Sequence, residues 1–172
     1  METKISEINV LQSTMAGEYT VRMMLHLAAQ PAGTILQISE ISRQCDIPEN
    51  FLRKIVQALA KSRLILSRRG IGGGIELARA AENITLLEVI EAAEGKLALN
   101  KCLVQPGMCD RDPWCAVHLV WCEAQEKMKE ILSSKSIAEL SRQSLTRREQ
   151  VHTQKHLAEY KPLLKWSAVQ AN

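Results

Sequence analysis

Between residues 64 and 77, two short apolar runs flank a stretch that contains four glycines and two arginines. Glycine adopts backbone conformations that strain other residues, so this composition predicts a tight turn between two β-strands. Aromatic residues make up only 3% of the chain, so the core must be built from Leu, Ile, Val, Ala and Met, which suits helices. The sequence predicts a mostly α-helical fold with one short β-hairpin over residues 64–77, here called the wing.

The sequence before the wing predicts three helices. Apolar residues recur at helical spacing over residues 14–29. Ser39 is placed to cap a short helix over residues 40–44, and a third helix is expected over residues 48–61. A helix, a tight turn, a second helix and a wing, in this order, predict a winged helix-turn-helix, which places one helix in the major groove of DNA.

The helix predicted over residues 48–61 has one apolar and one polar face. The apolar face carries Phe51, Leu52, Ile55, Val56 and Leu59. The polar face includes Asn50, Arg53, Lys54 and Gln57. A recognition helix needs this division, because one side packs on the protein while the other reaches bases, and Asn50 and Arg53 are the expected base-reading residues. An ordinary amphipathic helix shows the same division, and the wing favours the DNA-binding interpretation.

The wing supplies candidate contacts to the DNA backbone. Arg68 and Arg69, with Gly72 and Gly73 nearby, are expected to approach phosphates or to enter the minor groove. A nucleotide-binding phosphate loop is the competing interpretation. The segment lacks the Lys-Ser/Thr ending of such a loop, which favours the wing.

Three cysteines, Cys102, Cys109 and Cys115, precede His118 on a segment rich in turn-forming residues. Gaps of six and five residues are wide for zinc knuckles but suit an iron–sulfur cluster, either 2Fe-2S or 4Fe-4S. An odd total of five cysteines, in a protein expected to be cytoplasmic, argues against a disulfide framework. Cys45 is expected to pack in the turn before the recognition helix, and Cys122 could replace a lost ligand but more simply packs.

The second half of the chain predicts further helices. One short helix is capped by Thr85, another spans residues 113–133, and a third covers 137–145. The helix over 113–133 carries apolar residues in steps of four and three, a pattern typical of a dimerisation seam. The members of this seam are Val117, Trp121, Ala124, Met128 and Ile131. The expected organisation is a DNA-binding domain over 13–95, a cluster loop over 96–116, a dimerisation region over 113–145 and a tail of unknown role over 146–172.

Together these motifs resemble the Rrf-type family of bacterial winged-helix regulators, in its IscR- and NsrR-like branches, over about residues 13–133. The most specific segments are residues 17–22, 38–42 and 69–74 and the Cys-Cys-Cys-His loop. The resemblance implies a homodimer that binds a palindromic operator in double-stranded DNA, with affinity controlled by a cluster on Cys102, Cys109 and Cys115. It offers two fourth ligands: His118, as in IscR-like members, or Glu18 from the other subunit, as in NsrR-like members.

Other classes of function explain less of the sequence. An iron–sulfur electron-transfer or assembly protein would leave the basic wing without a role, and a cluster-free regulator that answers a metabolite or partner protein would leave the cysteines without one. No enzyme is expected. No run of about 18 apolar residues occurs, so we expect no membrane segment. The net charge of +3 decides little about nucleic-acid binding.

Overall fold

The computed structural model describes residues 14–70, 72–105 and 107–153. These residues form six α-helices and one two-stranded antiparallel hairpin, which confirms the predicted fold class. The elements in chain order are α1 (Met15–Ala28), α2 (Ile38–Cys45), α3 (Glu49–Lys61), β1 (Ile65–Arg68), β2 (Gly74–Leu77), α4 (Leu86–Glu94), α5 (Ala116–Ser133) and α6 (Ile137–Thr153). No helix of this described part is long and apolar enough to cross a membrane.

The hydrophobic core lies among α1, α2, α3, the wing and α4, and its buried side chains are aliphatic or sulfur-containing. Members that are almost fully buried include Met23, Met24, Ile41, Leu52, Leu59, Ile65, Ile75 and Val89. Each such side chain contributes about 1.5–3 kcal/mol by leaving water. The low aromatic content therefore led to the correct expectation of an aliphatic core.

A turn between α2 and α3 sets the direction of the recognition helix. Asp46 ends α2 in the left-handed conformation, with φ of 52°. Ile47 donates its backbone N–H to the Ser42 carbonyl at 3.0 Å, and the Ser42 hydroxyl donates to the Ile47 carbonyl at 2.6 Å. The Arg22 guanidinium of α1 donates to the Cys45 carbonyl at 3.1 Å. These bonds satisfy backbone groups at the end of α2 and fix the turn to α1.

The start of α2 differs from the prediction that Ser39 caps it. The helix begins at Ile38, so Ser39 lies inside it and Gln37 occupies the N-cap position without a side-chain capping bond. The Gln37 amide instead donates to the carbonyl of Gly73 in the wing. Gln37 is a poor capping residue by local rules, but it occupies the N-cap position, where its side chain makes a tertiary contact with the wing.

The wing is fastened to the helix-turn-helix by backbone pairing. Leu36 pairs with Ile75 through two hydrogen bonds, with N···O distances of 2.9 and 2.8 Å. At Gly73 an added Cβ would lie 2.4 Å from the Arg68 carbonyl oxygen, so the position has no room for a side chain. The wing therefore holds a defined position beside α2 and α3.

The helices after the wing confirm one predicted cap and revise two boundaries. Thr85 and Glu88 form a reciprocal capping box at the start of α4. Helix α5 begins at Ala116 rather than near residue 113, because Asp112 to Trp114 form turns closed by backbone hydrogen bonds. Helix α6 extends to Thr153, beyond the predicted end at residue 145, in a stretch of strong helix formers such as Arg, Glu and Gln.

The described residues divide into two compact units, with the boundary between residues 141 and 142. In the first unit, the link from α5 to α6 joins the start of α4: Leu86 donates to the Lys135 carbonyl at 2.8 Å and Ile137 to the Ile84 carbonyl at 2.9 Å. In the second unit, the described residues 142–153 are helical. The tail predicted from residue 146 lies largely outside the described residues.

Candidate metal centre and nucleic-acid interface

The three loop cysteines lie between the end of α4 and the start of α5. Cys102 belongs to a short 3₁₀ turn over residues 101–103, Cys109 follows in irregular loop, and Cys115 is the N-cap residue of α5. All three thiols are free and partly buried. His118 lies in the first turn of α5, and its backbone N–H bonds the Cys115 carbonyl at 3.0 Å.

The loop folds so that three different donor groups converge. The Cys102 Sγ, a carboxylate oxygen of Asp112 and a ring nitrogen of His118 all lie within 4.8 Å of one another. The His118 Nδ1 is 3.5 Å from Asp112 Oδ1, and the His118 Nε2 is 3.5 Å from the Cys122 Sγ, one turn further along α5. His118 is thus held between a carboxylate and a thiol.

Two atoms of this group are buried without a hydrogen bond. They are Asp112 Oδ1 and His118 Nδ1, neither of which has a hydrogen-bond partner among the described residues. Buried polar atoms are normally satisfied, and a ligand bound between these two facing atoms would satisfy both of them. A metal ion would accept both lone pairs, and the residues present therefore fit a metal centre.

The electrostatics of the loop also favour a cation. Partial burial is the main cause that raises the pKa of the Cys102 thiol, and negative charge on Asp112, Cys109 and Cys115 raises it further. The same thiolates and carboxylate that repel one another would be stabilised by positive metal ions in their midst. The sulfurs of Cys109 and Cys115 lie outside the group within 4.8 Å.

Asp112 was not among the site residues predicted from the sequence. A carboxylate three residues before Cys115, in a loop of candidate ligands, was the available signal, but acidic residues are common in turns. Glu18, the other candidate ligand, lies on α1, exposed and paired with Arg22 one turn away. It is not part of the donor group within the described chain, so a ligand role for it requires the other subunit.

Cys45 and Cys122 have different surroundings. Cys45 is 5% exposed in the core, where burial raises its pKa although the nearby Arg22 opposes this, and it fits the predicted packing role. Cys122 is partly buried on the side of α5 that carries His118. It contacts the candidate centre rather than an exposed seam.

The predicted DNA-contacting residues of α3 all lie on its solvent side. Asn50, Arg53, Lys54 and Gln57 are exposed. The Arg53 guanidinium lies 3.2 Å from the Glu49 carboxylate, an exposed ion pair of the kind that water screens strongly. The polar face is therefore available to a groove of DNA.

Phe51, which the sequence placed on the apolar face of α3, packs against α1 but remains exposed. Its side chain is 43% exposed, packs edge to face against Tyr19 with ring centroids 6.2 Å apart, and lies under the Lys54 ammonium at 5.9 Å. Buried contacts on α3 come from the other four apolar residues. Phe51 lies at the border of the two faces because the helix meets the core along a narrow stripe.

The two wing arginines have unequal freedom. Arg68 pairs with the nearly buried Glu76 across the hairpin, with Nη2 and Oε1 2.5 Å apart. Arg69 is exposed and makes no ion pair with the described residues. Gly72 is exposed whereas Gly73 is buried under the turn, so Gly72 is the more accessible of the two predicted glycines. A cleft of about 280 Å³ separates the wing from the start of α3 and is lined in part by Arg53 and Arg68.

The predicted dimerisation seam on α5 is unevenly exposed. Val117 and Ile131 are exposed, whereas Trp121 and Met128 are partly buried. The exposed apolar residues on α5 are Ala116, Val117, Leu119, Val120, Ala124 and Ile131. Gln125 is buried opposite them and accepts the backbone N–H of Leu99 at 3.1 Å. The buried side of α5 therefore faces its own chain, and the predicted seam includes both exposed and partly buried residues.

A helix-turn-helix with an exposed polar recognition face and a basic, glycine-rich wing beside it defines the class of winged-helix DNA-binding proteins. The family model Rrf2, described as an iron-dependent transcriptional regulator, matches residues 13–143. The chain belongs to this family of DNA-binding transcriptional regulators, which are not enzymes.

Individual relatives agree with this assignment. The chain is 31% identical over 130 residues to the putative HTH-type transcriptional regulator ORF2 of Azotobacter vinelandii, covering 76% of this chain and 79% of that protein. It is 30% identical over 130 residues to the HTH-type transcriptional regulator IscR of Erwinia tasmaniensis, covering 76% and 78%. The fold is similar to that of CymR, the global cysteine regulator of B. subtilis, with a TM-score of 0.61 and 23% identity over 77% of this chain and 97% of that one.

Proposed function

We propose that this regulator binds its operator with an affinity controlled by an iron–sulfur cluster held by Cys102, Cys109, Cys115 and His118. The observation that carries the proposal is the buried, unsatisfied Nδ1 of His118 beside the Cys102 thiol. When bound, such a cluster would supply iron that responds to oxidants, nitric oxide or iron–sulfur supply. Similarity to IscR adds support, because three loop thiolates and a histidine are available here in the matching segment.

The fourth ligand is proposed to be His118 rather than Glu18. His118 already lies within reach of Cys102, whereas Glu18 is exposed on α1 and paired with Arg22. A ligand on α5 lets one subunit hold the cluster. A Glu18 ligand would require the partner subunit to complete the centre.

The protein is proposed to act as a homodimer on a palindromic operator. The exposed valines of α5, Val117 and Val120, with Ile131 three turns further along, form an apolar face of the length that a helix pair uses. Two recognition helices at a fixed separation would then read two half-sites of double-stranded DNA. The predicted dimer is thus retained, and the contact between the two subunits is assigned to the exposed apolar face of α5.

Coupling between the cluster and DNA follows from the position of the loop. The loop connects α4, which packs on α1 and α3, to α5, and the bond from Leu99 to Gln125 ties the beginning of the loop to the middle of α5. Residues that hold the loop therefore also set the angle between α5 and the DNA-binding helices. A change at the cluster would alter the spacing of recognition helices across the dimer.

The test is anaerobic purification followed by iron and acid-labile sulfide analysis and operator titration before and after cluster removal. We expect iron and sulfide in wild type, loss of visible absorbance in the variant with Cys102, Cys109 and Cys115 all changed to Ser, and a changed operator affinity. The variant Cys45→Ser serves as the matched control and should keep its colour. Wild type that contains stoichiometric zinc and no sulfide, after growth with ample iron, would refute the proposal.

A cluster-free regulator is the second candidate, and one observation favours it. The same fold occurs in CymR, which is described as a cysteine regulator, so the fold by itself does not require a cluster. In this case operator affinity would respond to a metabolite or partner protein and be indifferent to iron removal. The operator titration above separates the two candidates.

A further inference from the structure

We propose that Cys102, Asp112 and His118 form a mononuclear site for a divalent transition metal, such as Zn²⁺ or Fe²⁺, that is used when the cluster is absent. The inference extends the proposed function, because it assigns the same loop a second metal-bound state. It involves Asp112, which the cluster ligand set does not include. Cys109 and Cys115, in contrast, have no part in it.

The donor geometry supports this site. Around a tetrahedral metal with bonds of about 2.0–2.3 Å, neighbouring ligand atoms are roughly 3.3–3.8 Å apart. Asp112 Oδ1 and His118 Nδ1 already have this separation, at 3.5 Å, and the Cys102 Sγ lies within 4.8 Å of both donor groups. Three ligands would be complete once the Cys102 Sγ approaches these two atoms by about 1 Å. The fourth position would be left to water.

The ring of His118 is oriented for the task. The Cys122 Sγ lies 3.5 Å from Nε2, on the side of the ring away from Asp112. In the tautomer in which Nε2–H donates to this sulfur, Nδ1 carries no proton and its lone pair is free to bind a metal ion on the Asp112 side. Partners of this kind fix the tautomer and direction of metal-binding histidines. Cys122 is thereby a positioning residue for the site.

The mixture of donors suits a divalent transition metal. One thiolate, one carboxylate and one imidazole offer sulfur, oxygen and nitrogen, which zinc accepts together and calcium or magnesium do not. Two negative charges balance the two positive charges of the ion. Both donor atoms that face each other are buried and lack other partners, so the metal displaces no existing hydrogen bond.

The site would hold the loop in place without a cluster. Cys102 belongs to the 3₁₀ turn after α4, whereas His118 is in the first turn of α5. A single ion between them bridges the two ends of the loop. The consequence is a metal-bound, cluster-free protein in which the loop still restrains α5 relative to α4.

The experiment is anaerobic titration of the reduced, metal-free protein with Co²⁺, whose absorption reports coordination geometry and cobalt–thiolate bonds. The variant Cys109→Ser/Cys115→Ser lacks two cluster thiolates and retains the mixed site. We expect wild type and this variant to bind one Co²⁺ per chain with a tetrahedral spectrum and a thiolate charge-transfer band. Zn²⁺ should displace the cobalt in both.

Asp112→Asn is the decisive variant, and Asp110→Asn in the same loop is its matched control. We expect Asp112→Asn to weaken Co²⁺ binding by at least about 10-fold, because the loss of a direct ligand costs no less than the loss of an outer-shell partner. Asp110→Asn should leave it unchanged. Equal affinities of the two variants would overturn the proposal, as would a double cysteine variant that binds no Co²⁺. Circular dichroism of each variant checks that the fold is intact.

The outcome is separable from that of the cluster proposal. Iron and sulfide content of the anaerobically purified wild type tests the cluster, whereas cobalt binding to the metal-free protein tests the mixed site. A wild type without sulfide that still binds Co²⁺ through Cys102 would refute the cluster and support the mixed site. A wild type that contains sulfide, but whose metal-free form binds no Co²⁺, would support the cluster and refute the mixed site.

Discussion

Replacing Gly73 with alanine should damage the wing by a purely steric route. An alanine Cβ would lie 2.4 Å from the Arg68 carbonyl oxygen and 2.9 Å from two further backbone atoms. Contact between such atoms normally requires about 3.5 Å, so the turn must open by roughly 1 Å. All of the obstructing atoms belong to backbone and cannot rotate away. The wing has to change shape.

The size of the effect follows from the bonds around this turn. Overpacking of this kind costs about 1–3 kcal/mol. Opening the turn also strains the bond from the Gly73 N–H to the Gly70 carbonyl at 3.0 Å and the bond from Gln37 to the Gly73 carbonyl, each with a net value of about 0.5–1.5 kcal/mol. We expect the free energy of unfolding to fall by about 2–4 kcal/mol. Operator affinity should fall as well, because the wing carries Arg69.

Urea unfolding and operator titration by fluorescence anisotropy measure the two effects. Gly33→Ala is the matched control: Gly33 has φ of 79° but open space around it, so its replacement costs about 1–2 kcal/mol of backbone strain and leaves the wing alone. Operator affinity of this control should equal that of wild type. A Gly73→Ala protein as stable as the Gly33→Ala control, with unchanged affinity, would refute the reasoning.

Three further predictions concern DNA binding, assembly and acid stability. Arg69→Ala should lower operator affinity on matched and scrambled sites, and it should reduce the slope of log affinity against log salt concentration by about 1. Arg68→Ala should have a smaller effect, because Glu76 already neutralises Arg68. Equal slopes for the two variants in anisotropy titrations would contradict this. Val120→Glu should yield monomers in sedimentation, and an intact dimer would exclude the exposed α5 face. Burial opposes ionisation of Glu88, but the Thr85 N–H and the Arg79 guanidinium prevail and lower the pKa of Glu88. The ionised Glu88 therefore stabilises the fold fully above the ordinary glutamate pKa, and this stabilisation disappears as pH falls through the lowered pKa. Glu88→Gln should therefore flatten the acid side of the stability profile, measured by urea unfolding from neutral to acidic pH, and an unchanged profile would contradict the assignment.

Local patterns in the sequence predicted much of the fold because they depend on neighbours along the chain. The Thr85 cap, the glycine-rich turn and the polar face of α3 each follow from residues within a few positions of one another. Helix ends were less predictable. Gln37 replaced the expected cap because its amide bonds Gly73, 36 residues away, which no local rule records.

The sequence by itself determined the class of protein, through a helix-turn-helix and a basic wing. It also determined most of the candidate metal ligands, which are three cysteines followed by a histidine. Tertiary structure decided which side chains meet. It paired Arg68 with Glu76, left Trp121 partly buried, and brought Asp112 beside His118. Periodicity defines the faces of a helix, but packing against other elements selects the face that is buried. The path of a loop, likewise, depends on where its two anchoring helices stand, so the donor group at Cys102 emerges only after α4 and α5 have packed.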